Sequence, residues 1–424
     1  MQTFLIFICW FIVFAWLLTK IKFVTKTGLG AWWIIALFSI KVIAGIGYAW
    51  FYSQPAYFAT SDTWHFYALS KGETDWLLND PVAFLKDIFV YGYERSGNLF
   101  LSENSYWNDL KSNLVIKLLA ICNVLTLKEY YADIVLFNFI FFFGPVALFR
   151  IVQQLFTVNR LLLIAGVFLI PSFLFWYSGV HKDGLIFTTL ALVVYYFNEQ
   201  LLHKKINWQQ LLLMVFFFTI LFAFRNFMAL LLLGGLVVWL LCEILPLKKI
   251  WVVSTVIVLA VVAFFVSASI STATDMPQYI IQKQAEFKAL SGNSGIDVPV
   301  LEHSVAGFLR FLPYALDIAF FRPHVAEIKN ISYIPAVAEI YFFWAVVIVS
   351  IFVRKKVAYT NKQVSFLVFC MFFSFSFLLL AGYTITFSGA IVRYKACILP
   401  FLFVPVILNL SSFAEKIFKG KASQ

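Results

Sequence analysis

Apolar runs of about 20 residues, the length that crosses a bilayer as a helix, follow one another along almost the whole chain. Hydrophobic residues make up 62% of the 424 residues and charged residues only 12%. An ordinary soluble domain has about 25% charged residues, and no soluble core of this length buries so much apolar surface. The chain is therefore predicted to be an all-α polytopic membrane protein with about eleven transmembrane helices.

The predicted helices are separated by short polar or basic segments. They lie near residues 2–19, 31–52, 131–150, 161–178, 184–202, 209–224, 227–247, 250–270, 333–353, 363–387 and 395–412. The boundary at Arg225 is the least marked, and residues 209–247 also fit one long kinked helix. The run 114–127 is short and contains Lys117, so it is predicted to be interfacial or re-entrant. The first run, 4–18, lacks the features of a cleaved signal peptide and is expected to remain as a helix.

Basic residues alternate with the predicted helices and indicate the orientation. Short cytoplasmic loops are enriched in lysine and arginine. If there are about eleven helices, all the basic loops fall on one side of the membrane: Lys20, Lys22, Lys26, Arg150, Arg160, Lys204, Lys205, Lys248, Lys249, Arg354, Lys355, Lys356, Lys362, Lys416, Lys419 and Lys421. The sequence therefore predicts a multi-pass protein of the cytoplasmic membrane, with its N-terminus outside and its C-terminus in the cytoplasm.

Two long loops, 53–113 and 271–332, then lie on the outer face. They contain 14 of the 21 acidic residues. Loops longer than about 12–15 residues are usually functional or disordered, and the first loop is too rich in aromatic residues to be disordered. We expect it to form short interfacial helices. The chain is predicted to be a single transmembrane domain, 1–424, with these loops as the candidate lid of an active site.

The first loop carries an acidic residue, Asp62, shortly after the predicted helix 31–52, and His65 and Tyr67 follow it. A carboxylate near the lipid boundary is partly desolvated, which suits it to act as a general base. His65 and Tyr67 are candidate substrate-binding residues beside it. Alternatively, Asp62 is only the N-cap of a short helix that begins at Thr63. The two roles are compatible.

A tight outer turn joins the predicted helices 161–178 and 184–202. It contains three consecutive ionisable residues at the membrane edge, His181, Lys182 and Asp183. Asp183 is expected to cap the following helix. Lys182 departs from the pattern of basic cytoplasmic loops, so it is a candidate phosphate ligand at headgroup level. In the simpler interpretation it only snorkels to a lipid phosphate.

Isolated arginines stand at the outer ends of other predicted helices. Arginines at the membrane boundary are costly and usually functional, although each of these also fits an ion pair or a contact with a lipid headgroup. Together with Lys182 they predict a receptor for a phosphate or pyrophosphate on a lipid carrier, formed by Arg225, Arg310, Arg322, Arg393 and Lys395. Lys41, inside the predicted helix 31–52, is expected to snorkel toward the cytoplasm or to pair with another helix.

Several functions are disfavoured by what the sequence lacks. The net charge of +11 comes from short clusters between apolar runs, so no nucleic-acid partner is expected. No P-loop, dinucleotide fingerprint or serine-hydrolase elbow is present. No cofactor is expected, and a divalent metal at Asp62 and His65 is a weaker alternative because their spacing fits no recognised ligand set. Without a cytoplasmic domain for sugar nucleotides, an enzyme acting outside must take activated substrates from lipid carriers.

Three segments resemble membrane glycosyltransferases of the GT-C superfamily, in the group that includes dolichyl-phosphate-mannose and arabinose transferases. Asp62 with Tyr67-Ala68-Leu69 and Gly72 resembles the acidic-then-aromatic motif of that superfamily's first large outer loop. Pro171 to Asp183 resembles a turn of related bacterial envelope-sugar proteins. Arg393-Tyr394-Lys395 with Pro400 resembles the element that opens the last helix. Thr63 stands where the family has a second acid, and Phe66 stands where it has a tyrosine.

The resemblance implies transfer of a sugar from a polyprenyl-phosphate carrier to the hydroxyl of a glycan or lipid acceptor on the outer face, with inversion at the sugar carbon. Asp62 would be the base. Lys182, Arg225 and Arg393 would hold the donor phosphate and stabilise charge on the leaving group. Membrane lipids and the lipid-linked donor are the expected partners.

Two other functions fit the sequence. The first is an envelope polysaccharide polymerase or ligase that uses polyprenyl-pyrophosphate oligosaccharides. The second is a transporter or flippase of lipid-linked sugars. Transporters place polar groups at the bilayer midplane, often on broken helices. The predicted midplane of this chain is nearly free of charge, which favours an enzyme over a transporter.

Overall fold

The computed structural model describes residues 2–59, 61–89, 106–203, 206–271, 274–289, 294–354 and 357–421, with the backbone alone for residues 2, 106–109 and 414–421. The regular elements among these residues are helices, and the only β-pairing among them is an isolated bridge between Gly295 and Phe387. The chain divides into two compact units. Unit 1 comprises Met1–Arg95, Glu103–Gln154 and Phe173–Ala229, and unit 2 comprises Ser96–Ser102, Leu155–Ser172 and Leu230–Gln424. The single domain 1–424 stays a prediction.

The helices of the first half of the chain are α1 (Gln2–Leu18), α2 (Lys22–Thr25), α3 (Ala31–Tyr52), α4 (Pro55–Phe58), α5 (Asp62–Asn79), α6 (Pro81–Lys86), α7 (Tyr106–Thr126), α8 (Tyr130–Phe141), α9 (Phe143–Leu155) and α10 (Arg160–Phe168). Those of the second half are α11 (Pro171–Trp176), α12 (Lys182–Leu202), α13 (Trp208–Phe224), α14 (Asn226–Ile244), α15 (Lys249–Ile270), α16 (Met276–Ala289), α17 (Val305–Phe320), α18 (Ile334–Phe352), α19 (Asn361–Thr384) and α20 (Ser388–Lys421).

Eight helices in the described residues are long and apolar enough to cross a membrane, and each coincides with a predicted one. They are Ala31–Tyr52, Tyr130–Leu155, Lys182–Leu202, Asn226–Ile244, Lys249–Ile270, Ile331–Phe352, Asn361–Thr384 and Ser388–Phe413. Thr3–Leu18 and Trp208–Phe224 are shorter apolar helices that coincide with two more. The chain is therefore a multi-pass helical membrane protein, whereas the total of about eleven spans stays a prediction.

The predicted helix 161–178 is wrong as a single helix. α10 ends at Phe168 and α11 begins at Pro171. Proline has no amide hydrogen and disfavours helical backbone at the residue before it, so the first helix stops there. Within unit 2, the Glu339 carboxylate accepts a hydrogen bond of 2.6 Å from the Ser172 amide. This contact satisfies one of the free amides at the start of α11.

The boundary at Arg225 separates two helices, as the sequence suggested. Arg225 has φ −155° and ψ 79°, outside the helical region. α13 ends just before it, and α14 begins just after it. The alternative of one long kinked helix over 209–247 is wrong.

The predicted loop 53–113 is helical over most of its described residues. α5, with 18 residues, is longer than the short helices expected, and the run 114–127 belongs to α7, a helix of 21 residues. The ammonium of Lys117 lies 2.9 Å from the Glu73 carboxylate and 3.0 Å from that of Asp87, and it is buried between them. This ion pair fastens α5 to α7. Residues 90–105 of the loop lie outside the described residues.

The second predicted loop, 271–332, carries α16 and α17. Both pack in unit 2 against α19 through apolar residues such as Ile280, Phe311 and Ala381. Gly382 lies so close to the Ala315 carbonyl oxygen that an added Cβ would be 2.1 Å from it. The described part of this loop is therefore a packed element. Residues 272, 273 and 290–293 lie outside the described residues.

Candidate functional site

The segment 177–183, which joins α11 to α12 and includes the first two residues of α12, is fixed by hydrogen bonds to its backbone. Three side chains from other elements of unit 1 each reach one of its carbonyl oxygens. Lys41 Nζ donates to Tyr177 O at 2.6 Å, Asn138 Nδ2 to Ser178 O at 2.8 Å and Thr63 Oγ1 to Val180 O at 2.8 Å. Buried non-helical backbone requires such partners, because an unpaired carbonyl oxygen away from water is costly. The segment is thus held at three points.

Two glycines let this segment pack closely against α3. A Cβ on Gly45 would lie 2.5 Å from Ser178 O, and a Cβ on Gly179 would lie 2.4 Å from the Tyr48 ring. Lys41 is buried on the same helix and also contacts Ser178 Oγ at 3.1 Å. The predicted alternative was a pairing with another helix, and the observed partner is instead the non-helical chain between α11 and α12.

The register between α12 and α8–α9 shows where the start of α12 lies along these helices. Thr188 Oγ1 is 3.4 Å from Phe141 O. Within the helix the donor to this carbonyl oxygen would be the amide of residue 145, but Pro145 has no amide hydrogen. Asn198 Nδ2 donates to Gln154 Oε1 at 2.9 Å, 44 residues apart. These two contacts have offsets of 47 and 44 residues, so the start of α12 lies beside residues 135–138, five to eight residues from Tyr130 or about 8–12 Å along the helix. The placement of this turn at the membrane edge stays a prediction.

His181, Asp183 and Arg225 form a buried ionic group at the start of α12. The Asp183 amide donates to His181 Nδ1 at 3.1 Å, so His181 is the N-cap of α12 and the predicted cap by Asp183 is wrong. The Asp183 carboxylate instead faces Arg225, whose Nη2 lies 3.1 Å from Oδ1. Because His181 Nδ1 accepts a hydrogen bond, the neutral ring carries its proton on Nε2. For Arg225, the interpretation as an ion pair is confirmed.

Asp62 lies in the first turn of α5, one residue before the threonine that bonds to the segment. α5 begins at Asp62 and Ser61 occupies the N-cap position, so the predicted N-cap role of Asp62 is wrong by one residue. Asp62 and Lys182 are both half-buried. Thr63 Oγ1 also lies 2.6 Å from the Tyr130 hydroxyl, which joins α5 to α8. The two motifs, 117 residues apart in sequence, meet here.

The other two predicted residues of the first loop differ in exposure. His65 is exposed on α5. Tyr67 is half-buried, and its hydroxyl donates to Lys128 O at 2.6 Å. Burial raises the pKa of Tyr67, with smaller contributions from the carboxylates of Asp133 and Glu129. Its phenol is therefore a hydrogen-bond donor at neutral pH and not a base.

In unit 2 the predicted Arg322 is held by carboxylates. Its Nε donates to Asp317 Oδ2 at 2.7 Å, and its Nη1 donates to Glu327 Oε1 at 2.6 Å. His324 Nε2 lies 2.9 Å from Asp317 Oδ1, and Ser388 Oγ donates to Glu327 Oε2 at 2.7 Å. The two acids neutralise the guanidinium, so the interpretation of Arg322 as an ion pair is confirmed.

The remaining predicted cations of unit 2 have varied surroundings. Lys395 is buried, and its ammonium donates to the Arg322 carbonyl oxygen at 2.6 Å. Arg310 is 77% exposed and 3.7 Å from a carboxylate. Arg393 and Tyr394 are half-buried on α20. Lys182 and Arg225 belong to unit 1, so one phosphate receptor built from all these residues stays a prediction.

Sequence reasoning missed Asn138 and Thr63 as residues that hold the site, and it gave Lys41 no role there. A lysine and an asparagine inside apolar runs are signals, because polar groups in a membrane are expensive and need partners. Thr63 gives no such signal, since threonine is common at helix starts. Within the described residues, no three His, Cys, Asp or Glu side chains are grouped so as to hold a metal ion.

The chain was also compared with known proteins. No family model matches it. No curated protein and no solved structure is significantly similar to it.

Proposed function

We propose that this chain is a membrane glycosyltransferase of GT-C type, with Asp62 and Lys182 as its substrate-contacting residues. One observation supports this proposal above others. The hydrogen bond from Thr63 to Val180 O brings the turn with Asp62 beside the segment with Lys182. An acid and a cation that both reach the surface are what transfer from a phosphate carrier needs.

In the proposed reaction, Asp62 removes the proton from an acceptor hydroxyl. The acceptor oxygen attacks the anomeric carbon of the sugar, and the bond from that carbon to the carrier phosphate breaks. The polyprenyl phosphate leaves with the electron pair, and Lys182 stabilises its added charge. A single displacement of this kind inverts the configuration at the sugar carbon.

The buried group supports the site without contacting substrate. His181 and Asp183 are fully buried, and Arg225 is 6% exposed. Their contacts fix the start of α12, whose first residue is Lys182. We therefore assign His181, Asp183 and Arg225 as positioning residues. The proposal places the site on the outer face of the cytoplasmic membrane, with the N-terminus outside, the C-terminus inside and a glycan or lipid as acceptor.

A transporter or flippase of lipid-linked sugars is the second candidate, and one observation favours it. Three charged residues, Lys41, Asp183 and Arg225, are buried inside unit 1, whereas a midplane nearly free of charge stays a prediction. The chain is also broken beside them, at residues 177–181. Transporters combine broken helices with buried charges in this way. The half-buried Asp62 at the same place still favours transfer chemistry.

The test is to profile envelope glycans and lipid-linked intermediates in the native host. The strains carry the wild type, a deletion, Asp62→Asn or Asp75→Asn. Asp75 is a matched control, since it lies on the same helix and its pair with Lys128 is exposed. Lys182→Met and Lys182→Arg test whether a positive charge suffices.

The proposal expects glycans short by one defined sugar in the deletion and in Asp62→Asn, with the polyprenyl-phosphate sugar accumulating. Asp75→Asn should match the wild type, and Lys182→Arg should keep more activity than Lys182→Met. Unpolymerised single repeats would instead indicate the polymerase or ligase. Intermediates trapped on the cytoplasmic side would indicate the flippase. A normal profile for Asp62→Asn beside a defective deletion would remove Asp62 from the mechanism.

A further inference from the structure

Arg150 lies beside a pair of aromatic rings near the C-terminal end of α9. Its guanidinium carbon is 4.6 Å from the centroid of the Phe23 ring and 4.6 Å from that of the Tyr195 ring. The side chain is 8% exposed. The Phe23 and Tyr195 rings are themselves in contact, edge to face, with centroids 5.1 Å apart. Attraction of the guanidinium to both rings holds this cation at one place beside them.

In the part of the chain that the structure describes, no carboxylate is in direct contact with this cation. Among the described residues, none accepts a hydrogen bond from the Arg150 guanidinium and no carboxylate lies within 4.0 Å of it. The carboxylate of Glu199 is engaged elsewhere, since Gln154 Nε2 donates to it at 2.7 Å and His203 lies 3.8 Å away. A desolvated arginine without a counter-charge is costly. Its burial is best explained by an anion that binds there.

The depth of Arg150 matches that of a lipid headgroup. Tyr130–Leu155 has 26 residues, so it is about 39 Å long against a hydrocarbon core of about 30 Å. Arg150 lies five residues from the end of this helix, about 8 Å along its axis. Its long side chain reaches the boundary between hydrocarbon and headgroups.

The loop that supplies Phe23 adds positive charge. Lys20, Lys22 and Lys26 are exposed on it, and Lys22 is the direct neighbour of Phe23. Basic pockets between membrane helices on the cytoplasmic side bind anionic lipid headgroups. The sequence predicts that this end of the helix is cytoplasmic.

We propose that Arg150 is the centre of a phosphate-binding site for an anionic lipid headgroup, with the lysines of residues 20–26 at its rim. The guanidinium binds two phosphate oxygens through parallel N–H donors. This site lies at the opposite end of α8–α9 from Asp62, and it does not depend on the proposed transferase activity. The shared chemistry is a phosphate group, from a phospholipid or free in solution.

The test measures thermal unfolding of the purified full-length protein in a neutral detergent. The added probes are phosphatidylglycerol, phosphatidylcholine or sodium phosphate. The variants are Arg150→Met and Arg150→Lys, and Arg160→Gln is the control, since Arg160 is an exposed arginine of the same predicted side. Binding to the folded state raises Tm with ligand concentration, which gives an apparent affinity for each probe.

We expect phosphatidylglycerol to raise the Tm of the wild type and of Arg160→Gln, whereas phosphatidylcholine does not. The apparent affinity for phosphatidylglycerol should fall at least tenfold in Arg150→Met and less in Arg150→Lys. A matching response to sodium phosphate would assign the site to free phosphate, and a response to the lipid alone would assign it to a headgroup. Equal shifts in the wild type and Arg150→Met would overturn the proposal.

Native mass spectrometry of the wild type keeps the proposal testable if Arg150→Met does not fold. Phosphatidylglycerol should then survive on the protein at collision energies that remove phosphatidylcholine, and Arg150→Lys should lose it earlier. Equal retention of the two lipids by the wild type would reject the site.

Discussion

Removing either charge of the Asp183–Arg225 pair should destabilise the protein strongly. The two groups are 3.1 Å apart, with 0% and 6% of their side chains exposed. At this distance their attraction is about 5 kcal/mol if the effective dielectric constant is about 20. Arg225→Met leaves a buried carboxylate without its cation, and Asp183→Asn leaves a buried guanidinium without its carboxylate. We expect each change to lower the free energy of unfolding by about 3–5 kcal/mol.

The double variant separates the pair from its surroundings. The variant that combines Asp183→Asn with Arg225→Met contains neither buried charge. Its loss in free energy of unfolding should be smaller than the sum of the two single losses by about 2–3 kcal/mol. The free energy of unfolding can be measured by titrating purified protein from mild detergent into sodium dodecyl sulfate and following tryptophan fluorescence. Arg310→Met is the control, because an exposed arginine should change stability by at most about 0.5 kcal/mol.

Additivity would refute this reasoning. If the double variant lost the sum of the two single losses within about 0.5 kcal/mol, the two charges would not be coupled. Single losses no larger than that of Arg310→Met would show that water or lipid reaches the pair. Either result would also remove the basis for calling Asp183 and Arg225 positioning residues.

Three further predictions test other contacts of unit 1. Thr63→Val removes the hydroxyl that joins α5 to the segment before α12. The protein should still fold, but its glycan profile should resemble that of Asp62→Asn. A normal profile would mean that this hydrogen bond does not position the site. Gly184→Ala places a Cβ 2.3 Å from the Phe141 ring, and we expect a loss of about 1–3 kcal/mol in detergent unfolding. Gly234→Ala, with open space around it, should lose nothing. Lys117→Met leaves two facing carboxylates without their cation, so the predicted outer loop should be cleaved several-fold faster in limited proteolysis; unchanged cleavage would mean that this ion pair does not fasten α5 to α7.

Sequence patterns predicted the individual helices well because helix formation depends on local residues. Among the described residues, the apolar runs predicted the eight helices that are long enough to cross a membrane. The break at Arg225 was visible as a polar residue in an apolar run. The break before Pro171 was missed, although proline is a strong local signal, because the run of apolar residues around it looked continuous.

The candidate site was predicted less completely. Asp62, Lys182 and Asp183 were identified from their positions beside apolar runs, and the structure brings their segments together. The predicted receptor, however, mixed residues of two compact units. Arg322 and Arg225 are each neutralised by carboxylates that the sequence did not connect with them. Such partners cannot be found from one sequence, since they are set by contacts between distant segments.

By itself, the sequence determined that this chain folds as apolar helices in a membrane, and it marked where charged groups interrupt them. Only the tertiary structure decided that Asp183 pairs with Arg225, that Arg150 lies beside the Phe23 and Tyr195 rings, and that α12 starts about 8–12 Å along the helix from Tyr130. The physical reason is that backbone hydrogen bonds within a helix are local. The depth and partners of a charge depend on the register between helices, which packing sets across the whole unit.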